Sequence, residues 1–167
     1  MLSKKMNELL NRQIASEAEA SGYYLSMASW AQAEGYNGLA KFLYKHSDEE
    51  RMHMLKLFHF VNDRGGLSKV PALKSPSGKY TSVAGVIKLI LSHEMKVTAE
   101  INKIVEACLA EKDYTTHNFL QWYLTEQIEE ETLARNLLDK INLAGNDKGG
   151  LYLFDRDLEM LAGSGKS

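Results

Sequence analysis

Only one cysteine, Cys108, occurs in the 167 residues, so no disulfide can form within the chain and the usage fits a reducing compartment. Proline is almost as scarce. Pro71 and Pro76 both fall in "GGLSKVPALKSPSGKY", residues 65–80, which leaves the rest of the chain free of the commonest helix breaker. A basic excess is missing as well: the net charge is -2 and the pI about 6.2, which argues against a nucleic-acid backbone or an anionic membrane as partner. No run approaches the roughly 20 apolar residues that span a bilayer, and the opening "MLSKKMNELLNRQ" lacks the apolar segment of a secretory signal. These absences lead to the expectation of a cytoplasmic protein. What is present, 44% apolar and 25% charged residues, suits one domain over residues 1–167 with a substantial core.

Apolar residues recur at helical spacing over about residues 4–33, 38–64, 82–111 and 114–143. A short amphipathic segment, "LYLFDRDLEML", predicts a fifth helix over 151–161, and "AGSGKS" reads as a frayed tail. The fold class is therefore all-α, a four-helix bundle with a short C-terminal helix. Short connections make the first and second helices, and the third and fourth, antiparallel hairpins. The stretch 65–80 is different. A helix of about 28 residues is roughly 42 Å long, and a loop of about 16 residues reaches roughly 50 Å when extended. A connection of that length returns along the whole bundle, so the second and third helices are expected to run parallel, giving an up-down-down-up arrangement.

Stepping along each helix by threes and fours puts acids inside the apolar stripes. In the second helix the stripe is Leu39, Leu43, Glu50, His53, Met54, Leu57 and Val61. Glu17 interrupts Leu10, Ile14, Tyr24, Ala28 and Ala31 in the first, and Glu94 sits amid Val83, Ile87, Ile90, Val97, Ile101, Val105 and Cys108 in the third. The fourth offers Phe119, Tyr123, Gln127, Glu130, Ala134, Leu137 and Ile141. All the interruptions lie near mid-helix, so they share one height whichever way each helix runs. Ionised carboxylates buried together cost several kcal/mol each, in sum comparable with the roughly 5–15 kcal/mol that stabilises a domain. Glu17, Glu50, Glu94 and Glu130 thus call for positive charge, and two divalent cations would balance them. With the imidazole of His53 as a nitrogen donor, such a site suits iron or manganese better than the thiolate-rich sites of structural zinc.

Each feature also has a plainer meaning. A lone Glu-x-x-His pair is usually an exposed helix pair, and Glu49, Glu126, Glu129 and Glu131 belong to charge runs that usually mark a solvated face. Tyr24, Trp122 and Tyr123 read equally as core or interface aromatics. His46, His59, His93 and His117 show no partner pattern and read as polar helix residues, and Cys108 as a small packed hydrophobe.

Taken together, Glu17, Glu50-x-x-His53, Glu94 and Gln127-x-x-Glu130, on four helices with one long crossover, resemble the non-haem bacterial ferritins. Ferritin-like carboxylate proteins are a standing example of this bundle. The likeness extends to "NFLQWYLTEQIEEE", "INLAG" and "GLYLFDRDLEML". It implies that Glu17, Glu50 and His53 bind one iron with Glu50 bridging, that Glu94 and Glu130 complete a second site, and that Gln127 lies close to it. It further implies a third, weaker iron site from Glu49, Glu126 and Glu129 with help from Glu130, and a short-range electron-donor role for Tyr24 and for Trp122. The implied activity is that of a ferroxidase: Fe(II) is oxidised by O2 or H2O2 and stored as hydrated ferric oxide in a 24-subunit cage, with Leu151, Leu153, Phe154, Leu158 and Leu161 around its four-fold axes.

Two departures sharpen this. Bacterioferritin would show a second Glu-x-x-His in the fourth helix and a haem-binding methionine directly after the second-helix glutamate; here Arg51 follows Glu50, and Met52 is a further step of about 100° around the helix. No haem is expected, and the missing second motif also argues against rubrerythrin-like peroxidases and diiron oxygenases. A DNA-protecting mini-ferritin is disfavoured by the fifth helix and the absence of a basic arm. Where animal ferritins line a three-fold channel with acids, this chain has Asn118 and Gln121, which leaves the route of iron to the site open, a pore beside the centre being the alternative.

Overall fold

The computed structural model describes residues 1–163, in which five helices form: α1 (Lys4–Ala33), α2 (Asn37–Asp63), α3 (Val83–Glu111), α4 (Tyr114–Ala144) and α5 (Lys148–Gly163). Short polar side chains set where three of them begin. Ser3 Oγ accepts the Met6 N–H at 3.0 Å, Ser82 Oγ that of Gly85 at 3.1 Å, and Asp113 Oδ1 that of Thr116 at 3.1 Å. Asp113 also holds Arg64 from the end of α2, at 3.1 Å, which ties the two ends that meet there. Gly65, with φ at 73°, turns the chain out of α2 through left-handed backbone that a side chain would disfavour.

Helix α2 has no cap of its own. Its first N–H groups are satisfied from α5 instead, where the Asp155 carboxylate accepts from Gly38 at 3.0 Å and Leu39 at 2.8 Å. Lys41 and Glu159 pair across the same seam. The approach is close enough that a Cβ at Gly38 would overlap the Asp155 carbonyl. Gly38→Ala is therefore expected to separate α5 from α2 at a cost of about 1–3 kcal/mol. Faster amide exchange across residues 151–161 than in the parent checks this; unchanged exchange would show that the seam yields without loss.

The apolar core is divided in two. One cluster joins the end of α1 (Met27, Ala28, Ala31), the start of α2 (Leu39, Phe42, Leu43), the start of α3 (Val83, Val86, Ile87) and the end of α4 (Leu137, Ile141). The other joins Met6, Leu10 and Ile14 to Leu57 and Val61, Ile101, Ile104 and Cys108, and Leu120. The starts of α2 and α3 thus lie at one end of the bundle with the finishes of α1 and α4, which is the up-down-down-up order. The crossover runs from one end to the other along α1: Asn11 donates to the Leu67 carbonyl at 3.0 Å and accepts from Lys69 N–H at 2.7 Å, and the Tyr80 hydroxyl donates to Ser26 Oγ at 3.1 Å near the far end. None of the helices among the described residues is long and apolar enough to cross a membrane.

Three details differ from the expectations drawn from the sequence. The fifth helix starts at Lys148 rather than 151, because Asp147 accepts the Gly150 N–H at 2.7 Å and so caps a turn whose two glycines give no helical signal. It also continues through Ala162 and Gly163, the first residues of the expected frayed tail; the rest of that tail, 164–167, lies outside the described residues. In α4, Leu120 is the fully buried residue, while Phe119 is half-buried and stacks on Phe60 with ring centroids 3.7 Å apart.

Candidate metal centre

Between the two apolar clusters lies a layer of polar side chains, one or more from each long helix. Glu17, Glu50, Glu94 and Gln127 are all buried there, Glu17 completely. Gln13, one turn before Glu17, donates to its Oε1, while Oε2 of the same carboxylate is buried without a hydrogen-bond partner among the described residues. His53 Nδ1 stands 3.4 Å from Glu50 Oε2. Tyr24 donates its hydroxyl to Glu94 Oε1 at 2.7 Å, and Gln127 Nε2 donates to Glu94 Oε2 at 3.2 Å. Across α4, Trp122 stacks on Tyr123 at 4.6 Å and faces the His53 ring at 5.4 Å, with the Lys56 ammonium 3.5 Å from the indole centroid.

Potential ligand atoms fall into three sets, each within 4.8 Å: Glu17, Glu50 and His53; Glu50, His93 and Glu94; and His46, Glu49 and Glu130. Glu50 belongs to two of them. The structure therefore brings together Glu17, Glu50 and His53 as the spacing suggested. Glu94 joins Glu50, whereas Glu130 faces His46, its Oε2 being 3.5 Å from Nε2. Glu126 is half-buried and Glu129 exposed, and neither belongs to the three sets. Glu131 accepts from Thr98 Oγ1 at 2.6 Å and from Arg135 at 2.7 Å.

Electrostatics shows what the layer lacks. Burial, with repulsion from Glu50, pushes Glu17 well above the usual carboxylate range. Burial first, and then neighbouring acids including Glu94 and Glu130, pushes Glu50 up to about 8. Glu94 rises to about 7, again chiefly through burial. Tyr24 is raised by burial and by Glu94. Burial alone would lower His46, but Glu130 and then Glu49 raise it overall. Acids that hold protons this firmly, beside a carboxylate oxygen with no donor, form a set that cations would complete. Oxygen donors with imidazole match iron or manganese chemistry.

A sequence model of the ferritin-like domain matches residues 7–144, the stretch that contains every residue of this layer and all of the four long helices but the first three residues of α1. The chain belongs to the ferritin family. It is 44% identical over 162 residues to a probable bacterial non-heme ferritin-like protein of Haemophilus influenzae, covering 97% of this chain and 98% of that one. It is 42% identical to the bacterial non-heme ferritin of Campylobacter jejuni, with 99% of each covered. Among solved structures, an open pore ferritin from the hyperthermophilic archaeon Archaeoglobus fulgidus superposes with a TM-score of 0.93 at 40% identity, covering 95% of this chain and 97% of that one. As a family member the chain is an iron-storage type of protein, and its carboxylate and imidazole groups form candidate iron ligands.

Reasoning from the sequence missed three residues of this ferritin's polar layer. Gln13 is buried and positions Glu17; it lies one turn from Glu17 on the same face, which is the available signal. His46 is two helical turns before His53 on α2 and is 7% exposed, so the same stepping rule would have found it. His93 lies three residues after Ile90 and four before Val97, so stepping reaches it as well, although the seam between α1 and α3 that it faces exists only once the helices pack.

Proposed function

We propose that the polar layer is a ferroxidase centre, in which Glu17, Glu50 and His53 bind one Fe(II) and Glu50, Glu94 and Glu130 a second. The observation that carries this reading is the convergence of buried glutamates on Glu50, with the partnerless Oε2 of Glu17 beside it. Two ferrous ions at the distance of about 3.5–4 Å usual for paired metals each give one electron to dioxygen. With two protons the dioxygen leaves as hydrogen peroxide, and the ferric ions take hydroxide from water. Anionic oxygen donors stabilise Fe(III) over Fe(II), so the four carboxylates favour oxidation. Gln127 and Tyr24 hold Glu94 in place from two sides. A weaker third position is assigned to Glu49 and Glu130, with Glu126 and Glu129 on the way out.

The ferric product is deposited as hydrated oxide inside a hollow shell of copies of this chain, taken as 24 from the family resemblance, in the cytoplasm. In α5, Phe154 and Leu158 are spent inside the chain, while Leu153 and Leu161 remain exposed and are the residues assigned to the four-fold contacts. Anaerobic loading with Fe(II) followed by oxygen tests both halves. Ferric absorbance should develop, and iron should co-migrate with the protein at large molecular size. Oxidation without retained iron would sink the storage half, and no acceleration over buffer would sink the centre.

Tyr24→Phe removes one of the two tethers on Glu94 while keeping the ring. About 1 kcal/mol of positioning is lost, roughly a fivefold slower oxidation. Stopped-flow kinetics of the first two ferrous ions per chain measures it, and a parental rate would show that Gln127 suffices alone.

A further inference from the structure

The ferroxidase reading leaves His93 without a task, yet its placement is specific. One of its ring nitrogens lies within 4.8 Å of carboxylate oxygens of both Glu50 and Glu94. Its Nε2 is shielded from solvent and has no hydrogen-bond partner among the described residues. An unsatisfied buried nitrogen destabilises the fold, and a ligand would offset that cost. His93 also lines a pocket of about 330 Å³ bounded by α1, α3 and the crossover, with Tyr24, Met27 and Tyr80. The pocket reaches solvent past Tyr23 and Leu89, which are 44% and 52% exposed. At its rim the charge of Lys96 is offset by Glu100, 3.6 Å away. A neighbouring pocket of about 390 Å³, whose lining includes Arg12, Glu19, Glu100 and Lys103, meets Gln13, whose amide donates to Glu17.

We propose that His93, with Glu94 and Glu50, forms an inlet position at which Fe(II) arriving through the α1/α3 pocket binds before it joins the oxidised pair. The imidazole supplies a neutral donor that suits a divalent first-row ion. Glu94 is shared with the centre, so an ion held by His93 and Glu94 needs only to exchange the imidazole for Glu130 to move inward. No ligand has to leave the protein, and no charge is added to the layer until the ion itself arrives. The inlet rests on the ferroxidase reading, because its onward step ends there.

Anaerobic titration of the purified protein with Co(II), followed by visible ligand-field absorption, tests the position. Even the outer partners of metal ligands are worth roughly 10- to 100-fold in affinity, so His93→Ala should weaken one binding step by at least about tenfold. His93→Gln keeps the bulk and should be weakened in the same step, which separates ligation from packing. Free imidazole, small enough for the pocket, should restore the spectrum of His93→Ala. In stopped flow, His93→Ala should slow oxidation at low Fe(II) far more than at saturating Fe(II). Coincident Co(II) curves for the parent and both variants, or failure of imidazole to restore the alanine variant, would overturn the position; an unchanged rate at low Fe(II) would overturn its place on the inward path. Should the parent bind two Co(II) and the His93 variants match it, only the inlet falls. A parent that binds no pair of ions removes the ferroxidase reading, and the inlet with it.

Discussion

Replacing Glu50 with alanine is expected to slow Fe(II) oxidation by about a hundredfold or more, because direct ligands outweigh the roughly 10- to 100-fold carried by their outer partners. Glu50 is the only residue shared by two of the three ligand sets, so under the proposed ferroxidase assignment its loss would take a donor from both ions. His53 and Glu17 would retain one position, Glu94 part of the other, and neither would have its neighbour at reacting distance. Stability should move the opposite way. Glu50→Gln keeps the volume and avoids the cost of taking up a proton on folding, so at neutral pH the metal-free protein should melt higher than the parent. Initial rates measured beside calorimetric midpoints check both directions. A rate within about threefold of the parent, worth only some 0.7 kcal/mol of barrier, would remove Glu50 from the reaction.

Thermal stability of the chelator-treated protein should fall as pH rises, and divalent metal should reverse the trend. The sign follows from proton counts. Glu50 and Glu94 ordinarily ionise near 4.5, but in the folded chain they hold their protons up to about 8 and about 7. Between those limits the folded state binds more protons than the unfolded one, so each pH unit lowers stability by up to about 1.4 kcal/mol per such group. The loss begins above the ordinary value and is complete above about 8. Cations bind the ionised layer, and a ligand at a hundred times its Kd adds about 2.7 kcal/mol. The Tm of the metal-free protein should therefore drop from about pH 5 to about pH 8, and added Co(II) should raise it more at the higher pH. A flat profile without metal would mean that the layer is already neutralised by other means.

Much of this centre is legible in the order of the residues alone. Glu17, Glu50 and Glu94 declare themselves because each breaks an apolar stripe at the same height, and the scarcity of proline outside 65–80 makes the helices long enough for those heights to be compared. The crossover is legible from length, since only a parallel pair requires so much chain. Contacts between helices are less accessible. Whether Glu130 turns toward Glu94 or toward His46 depends on the rotation of α4 in its groove, which no single stripe determines, and the His93 seam exists only after α1 and α3 meet. The start of α5 escapes for a local reason: two glycines hide a turn that the Asp147 carboxylate caps.

The division of the apolar core has a consequence for how such a protein can change over evolutionary time. Met27, Leu43, Ile87 and Ile141 close one end of the bundle, and Leu10, Leu57, Ile101 and Leu120 close the other, so each end packs mainly through side chains outside the waist, which Tyr24 and Tyr123 join from either side. Substitutions at that waist can alter which ion is held, how tightly and with what reactivity, and selection meets them with the scaffold intact. A site that contributes repulsion rather than cohesion is free to be rewritten, and the same bundle can pass from one metal chemistry to another without an unfolded ancestor between them.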